Sequence, residues 1–310
     1  MAGDSPQAPS ASLQISVVIP AYNAGQYIER AIRSVLEQSL SPCEVIVVDD
    51  GSTDNTGEVI AGAFRDRVKY FRQVNRGVAA ARNAGVKQAS GAWIAFLDAD
   101  DYWDPRKLEK QAAAVSRRTD VVLVACGSAI VGREPKPGAA SPVLTSALVR
   151  KKVRLRTPFP MGVLLRRDVF ESLGGFDETL ACGEDRELWA RIAARHEMTS
   201  VPEPLLHVTN PATSLCSNPQ LLLRDGFKAN RKVMEALGVR PGLGKWMDLL
   251  ALRRADARVY LGAGYEFLRH QQAREAFEAI RKSLACWPVA HPGTYRLAAR
   301  LWFRKLAGRL

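Results

Sequence analysis

Three times in the first ninety residues, a run of consecutive apolar side chains gives way to a stretch whose apolar positions recur every three or four residues. "LQISVVIPAYN" (13–23) is β-branched and apolar up to Pro20, the pattern of a buried strand. "GQYIERAIRSVLEQ" (25–38) follows, with Ile28, Ile32, Val35 and Leu36 at helical spacing. "CEVIVVDDGSTDNTGEVIAGAF" repeats the theme: a strand through Val48, a polar turn, then a helix that Thr53 and Asp54 can cap, with Glu58 early in it. "VKYFRQV" (68–74) predicts a third strand and the Ala-rich "RGVAAARNAGVKQA" (76–89) a third helix, before "AWIAFL" gives a fourth strand. Alternation of this kind predicts an α/β fold with a mostly parallel sheet between helices, and ligands outside the carboxyl ends of its strands.

Further along, "VVLVACGSAIVG" (121–132) predicts a strand or hairpin, and "REPKPGAASP" (133–142) a loop that could serve as a lid. "FPMGVLLRRDVFESLGGFDE" predicts strand, helix and glycine turn, and "EDRELWARIAARH" (184–196) an amphipathic helix. Past Pro219 only helices are expected, around 221–237, 245–269 and 271–286. The last two have the look of a single tetratricopeptide-type hairpin, too little for a solenoid and so a packed appendage. The tail "TYRLAARLWFRKLAGRL" sets Leu297, Leu301, Trp302 and Leu306 near one face and Arg300, Arg304 and Lys305 toward another, a pattern suited to a membrane interface or to packing on the protein itself. The expected organisation is a disordered 1–12, an α/β domain over 13–219 and a helical extension over 220–310.

Composition narrows this only slightly. At 310 residues and 47% apolar content the chain can build a sizeable core. The first dozen residues lack the apolar centre of a signal peptide, and no run approaches the roughly 20 residues that span a bilayer. Five scattered cysteines (Cys43, Cys126, Cys182, Cys216 and Cys286) form no metal spacing and read as reduced, mostly buried thiols of a cytosolic protein. The net charge of +12 is placed unevenly: residues 220–310 hold 18 Lys/Arg against 7 Asp/Glu. That bias fits an anionic surface as partner, or merely a solvated helical face.

Two strands deliver carboxylates at their ends: Asp49 and Asp50 after "VIVV", and Asp98, Asp100 and Asp101 after "WIAFL". Single aspartates commonly cap turns. Three together after a buried strand call for a cation, and the D-x-D of Asp98 and Asp100 offers the hard oxygens that Mg²⁺ or Mn²⁺ takes while leaving positions for phosphates. Glu184 and Asp185 open a helix, where the dipole alone would favour them, although a carboxylate there could equally serve as general base. His196, His270 and His291 have no partner pattern, and His207 stands alone after "PLL". No GxSxG, GxGxxG or P-loop pattern accompanies the first strand, which weighs against serine hydrolases, dinucleotide oxidoreductases and P-loop enzymes.

Taken in order, "SVVIPAYNAGQYIERAIRSVLEQS", "EVIVVDDGSTDNT", "NRGVAAARNAGVKQASGAWIAFLDADD", "LGGFDE" and "GEDRELWARI" resemble family 2 glycosyltransferases over residues 13–215. The resemblance implies a GT-A fold with a Rossmann-like nucleotide-binding half, and inverting sugar transfer from a nucleotide-linked donor, commonly UDP-linked, to a glycan or lipid-linked acceptor. It implies that Pro20 and Tyr22 line the nucleoside pocket, that Asp50 accepts hydrogen bonds from the base, and that Arg82 lies near the donor. Asp98 and Asp100 match the D-x-D, with Asp98 also on the donor side and Asp100 the more direct ligand of Mg²⁺ or Mn²⁺. Asp185 matches the catalytic base with Glu184 beside it, and Gly174, Gly175 and Phe176 match a stretch shaping the acceptor side. No nucleic-acid partner is expected; localisation would be cytoplasmic, with the basic extension available to the inner face of a membrane.

One departure stands out. Many members carry a His just before a Pro after the stretch matching "PLLHV", and an Arg nearby; here Asn210 precedes Pro211 and no Arg lies between 196 and 223. The role of that His would pass to Asn210, to His207 or to nothing, which keeps open a rival reading as a non-catalytic binding or scaffold protein of the same fold. A phosphotransfer reading fares worse, because the first strand ends in "IPAYN" and not in an aspartate motif.

Overall fold

A computed structural model describes residues 13–132, 145–146, 162–209, 218–239 and 246–287. The predicted lid loop 133–142, Cys216, Asn210 and the 294–310 tail lie outside the described residues. Chain order is β1 (Ile15–Ala21), α1 (Ile28–Leu36), β2 (Glu44–Asp49), α2 (Thr56–Phe64), β3 (Lys69–Arg72), α3 (Val78–Lys87), β4 (Trp93–Phe96) and β5 (Tyr102–Trp103). It continues with α4 (Lys107–Arg117), β6 (Val121–Ile130), β7 (Val163–Arg166), α5 (Arg167–Ser172), α6 (Glu184–Arg195) and β8 (Glu197–Val208), then α7 (Pro219–Ala236), α8 (Trp246–Arg269) and α9 (Ala273–Cys286).

Eight strands form one mixed, mostly parallel sheet in the order β3-β2-β1-β4-β7-β6-β8-β5. β1, β2, β3 and β4 run parallel, which brings the ends of β1, β2 and β4 to one edge. β7 is antiparallel to both β4 and β6, and the two-residue β5 is antiparallel to β8.

The two-residue period divides each continuous apolar strand between two cores. Val17, Ile19, Val45, Val47 and Ala95 face α1 and α2, whose Ile28, Ile32, Val35, Ile60 and Phe64 share that cluster. On the opposite face Val18, Ile94 and Phe96 meet Ala79 and Val86 of α3, and Leu188, Trp189 and Ile192 of α6. Helix amphipathicity and strand alternation are thus two expressions of one packing plan.

Several expectations changed. The segment 68–74 forms a strand only over Lys69–Arg72, an exposed sheet edge, with Val74 84% exposed beyond it. The third strand is thus present but shorter than the segment, and its aromatic residues suit an edge as well as a centre. Helix α4 and strand β8 were not anticipated. Leu108, Gln111 and Val115 give α4 a buried face. In β8, Pro202 and Pro204 mask the strand pattern, because proline cannot donate to a ladder. The β6–β8 register slips where they occur, from Cys126↔Val201 to Gly127↔Pro204. The four cysteines among the described residues form no disulfide with one another, and only Cys126 is buried.

The C-terminal helices pack on the α/β body. Val233 and Met234 of α7 meet Ala190 of α6 and Ala255 of α8. α8 and α9 form the expected hairpin, closed by Ala263, Phe267, Ala276, Ala279 and Ile280. No helix among the described residues is long and apolar enough to cross a membrane.

Candidate active site

The site is organised around Arg82, on the fifth residue of α3 and only 3% exposed. Its Nη2 donates to Asp98 Oδ1 at 2.6 Å and its Nη1 to Glu184 Oε1 at 2.6 Å. Burial by itself would lower the basicity of this guanidinium, but the charges of Asp98 and Glu184 outweigh it and raise the pKa. The Phe176 ring lies 5.4 Å from the guanidinium centre, adding cation–π contact in a dry setting. One arginine therefore ties the strand-end D-x-D to the acid pair that opens α6.

Asp98 meets Arg82 through Oδ1, and its side chain is about a third exposed. Asp100 is pushed up to about 6, first by burial and then by Asp98. Asp101 rises to about 8 through burial and the charges of both neighbours. Its carboxylate accepts the Thr209 N–H at 2.8 Å, tying the turn after β4 to the exit of β8. Arg30 adds a second tie, donating to the Asp100 carbonyl at 2.8 Å and to Thr209 Oγ1 at 2.7 Å. Tyr102 carries Arg30 over its ring and stacks on His207 at 4.6 Å, fixing His207 against the end of the D-x-D turn.

Whether these acids suit a divalent cation follows from their chemistry. Asp98 and Asp100 are hard oxygen donors; burial, and then the charge of Asp98, push Asp100 up, and a nearby cation would offset both. Among the described residues no group of three or more His, Cys, Asp or Glu could hold a metal by itself. The pair therefore fits an ion whose coordination is completed by substrate phosphates and water.

Asp185 lies next to this centre. Burial and the adjacent Glu184 raise its pKa, the direction a general base needs. Its Oδ1 accepts the Arg186 N–H at 2.6 Å. Gly183, with φ +82°, turns the chain into α6 just before the acids.

The predicted nucleoside residues occupy the other end of the edge. Pro20 is buried within β1, whereas Tyr22 is 53% exposed. Asp50 is buried and accepts three hydrogen bonds: Gln73 Nε2 and the Arg76 N–H reach Oδ1, and the Gly77 N–H reaches Oδ2. It thereby shapes the loop into α3 and retains acceptor capacity on Oδ2. Asp49, by contrast, is occupied by the Ser52 N–H and the Tyr70 hydroxyl.

Gly174 and Gly175 make the turn of "LGGF" with φ of +81° and +72°. Phe176 is a core ring, packed edge-on against Phe96, Phe170 and Trp189, so it supports the site from beneath. Asn83 and Arg191 position this turn, and sequence reasoning named neither. Asn83 brackets the Phe176 backbone, donating to its carbonyl and accepting from its N–H, both at 2.9 Å. Arg191 pairs with Glu187 and donates to the carbonyls of Leu173 and Gly175. Asn83 stood next to Arg82 in a noted motif, but its pairing across 93 residues left no local signal.

This arrangement, with carboxylates at the ends of parallel strands beside a helix-start acid pair, defines a GT-A-type nucleotide-binding fold. The chain belongs to glycosyl transferase family 2, whose pattern matches residues 16–174. It is 34% identical over 196 residues to an uncharacterized glycosyltransferase of Rickettsia conorii, covering 63% of this chain and 32% of that one. The chain thus spans about a third of the length of that curated relative. In structure it is similar to S. aureus TarS in complex with UDP, with TM-score 0.62 and 20% identity over 89% of this chain and 81% of that one. It is likewise similar to the mannosyltransferase PcManGT of Pyrobaculum calidifontis in complex with GDP-Man and Mn²⁺, with TM-score 0.58 and 20% identity over 94% and 80% of the two chains.

Proposed function

We propose that the protein is a metal-dependent inverting glycosyltransferase that moves one sugar from a nucleotide donor, UDP-linked as in most of the family, to a glycan or lipid-linked acceptor. The observation that carries this reading is the Arg82 bridge, which joins Asp98 of the D-x-D to Glu184 beside Asp185. Donor-side and base-side groups then face one reaction centre. The UDP bound by TarS and the GDP-Man and Mn²⁺ bound by PcManGT support the donor class and the cation.

In this reading Asp50, Pro20 and Tyr22 hold the nucleoside, with Arg82 behind the diphosphate. A divalent cation on Asp98 and Asp100 would supply positive charge against the departing diphosphate. Asp185, made more basic by burial and Glu184, takes the proton from the acceptor hydroxyl. The acceptor oxygen bonds to the anomeric carbon as the bond from that carbon to phosphate breaks, and its electron pair leaves with the nucleotide. Attack opposite to departure inverts the anomeric centre. Gly175, Phe176 and Glu184 frame the acceptor side.

The basic helices of 220–310 are proposed to rest on an anionic membrane at the cytoplasmic face, near lipid-linked acceptors. A melting-temperature screen of UDP-, GDP- and dTDP-linked sugars with Mn²⁺ tests the donor, since only a bound donor raises the transition. Donor turnover with Mn²⁺, abolished by EDTA, is the expected result. Binding with no turnover toward any acceptor would favour the non-catalytic binder that Asn210 leaves open.

A further inference from the structure

The loop that delivers the acid pair, residues 177–183, is held along its length by helix α7, beyond the family match that ends at 174. Asp225, Lys228 and Lys232 are spaced three and four residues apart and so share one face of α7. Asp225, 2% exposed, accepts the Ala181 N–H at 2.9 Å. Lys228 Nζ donates to the Thr179 carbonyl at 3.0 Å and to its hydroxyl at 2.8 Å. Lys232 pairs with the Asp177 carboxylate. Between them the fully buried Ala229 packs against Gly183, where a Cβ would come within 3.1 Å of the Ala229 methyl group.

The opposite side of α7 is braced in turn. Asn230 Nδ2 donates to Asp256 of α8 at 3.0 Å, and Phe227 packs on Tyr260 with ring centroids 4.8 Å apart. Ser283 of α9 then donates to the Ala257 carbonyl at 2.7 Å. The helical extension therefore transmits its rigidity into the one loop that sets where α6 begins.

We infer that α7 belongs to the catalytic machinery: Asp225, Lys228 and Lys232 are positioning residues that fix loop 177–183 and thereby the placement of Glu184 and Asp185. This rests on the reading of Asp185 as the base. Misplacing a catalytic group by about 1 Å can cost on the order of 100-fold in rate. A released loop should accordingly lower turnover while leaving the strands β1 and β2 at the nucleoside end undisturbed.

The test uses the full chain and the variants Lys228→Met, Lys232→Met, Lys232→Arg and Asp185→Asn. Hydrogen–deuterium exchange is followed by peptide, and kcat and KM are measured with Mn²⁺ and the donor that raises the melting temperature. Lys228→Met and Lys232→Met should speed exchange across 177–188 and lower kcat at least about tenfold, with donor KM within about twofold. Peptides of β1 and β2 should be unchanged, and Lys232→Arg should restore kcat. Unchanged exchange at 177–188 in both Met variants would overturn the inference. So would faster exchange with unchanged kcat, provided Asp185→Asn is inactive. An active Asp185→Asn would instead remove the base assignment, leaving exchange to decide the clamp by itself. If Lys232→Met loosens the whole sheet, Lys228→Met and the conservative Lys232→Arg still decide the matter.

Discussion

Arg82 and Glu184 stand 102 residues apart in the chain, yet the guanidinium Nη1 and carboxylate Oε1 meet at 2.6 Å in a buried contact. Because the other arm of Arg82 holds Asp98, removing this side chain strands two acids at once. Arg82→Met should destabilise the protein by about 3–5 kcal/mol in urea unfolding, the usual cost of leaving a buried charge unpaired. Arg82→Lys should recover part of that stability but little activity, since one ammonium cannot fork to both acids. Equal activity in Arg82→Lys and the wild type would refute the bridging role.

Asp185→Asn removes the proton acceptor and keeps the shape of the side chain. Transfer should fall by about 10²–10⁴-fold, with the donor dissociation constant nearly unchanged. Calorimetric titration of the donor alongside initial rates separates the two effects. Loss of donor binding would reassign Asp185 to the donor side.

The D-x-D turn should give the metal-free protein an acid-favoured stability. Asp100 and Asp101 titrate at about 6 and about 8, above the ordinary 3.8, because burial and neighbouring carboxylates oppose their charge. The folded chain therefore binds more protons than the unfolded one across this window. Stability falls as pH rises through it and returns as pH drops. Melting temperature in EDTA should rise as pH is lowered from 8.5 to 5.5. Asp101→Asn, which can still accept the Thr209 N–H, should flatten the slope; Asp185, shifted the same way, leaves a remainder. Below about pH 4.5 the sign reverses, because Glu44 and Asp177 are held at about 2 by hydrogen bonds that overcome burial. A slope that Asp101→Asn leaves untouched would contradict this assignment.

Gly175 is required twice over, by its φ of +72° and by its surroundings. A Cβ there would lie 2.7 Å from Asn83 Oδ1 and 3.1 Å from the Phe170 ring. Gly175→Ala should cost about 1–3 kcal/mol in unfolding and lower turnover through the adjoining acids. Gly62, on the exposed side of α2 with nothing within 4 Å of such a Cβ, is the control, and Gly62→Ala should be neutral or slightly stabilising.

The β–α alternation and the acids at two strand ends were legible in the sequence because both are local. A strand buried on both faces must be mostly apolar, as β1 is apart from Ser16, so carboxylates stand out where such strands end. The motifs extended this to a family and to an expected set of roles. An element stayed hidden where local signals conflict with context: β8 carries two prolines, and its register slips where they occur.

What the sequence determined, then, is the inventory: which segments alternate, which faces are apolar, and which acids emerge together. Tertiary structure alone decided the pairings. Arg82 to Glu184, Asp101 to Thr209, and Lys232 to Asp177 each join residues at least 55 apart. Periodicity encodes which side of an element shuns water, not which element will cover it. The choice of partner for a buried charge is made only when packing excludes water, where an unpaired charge becomes far more costly than in solution.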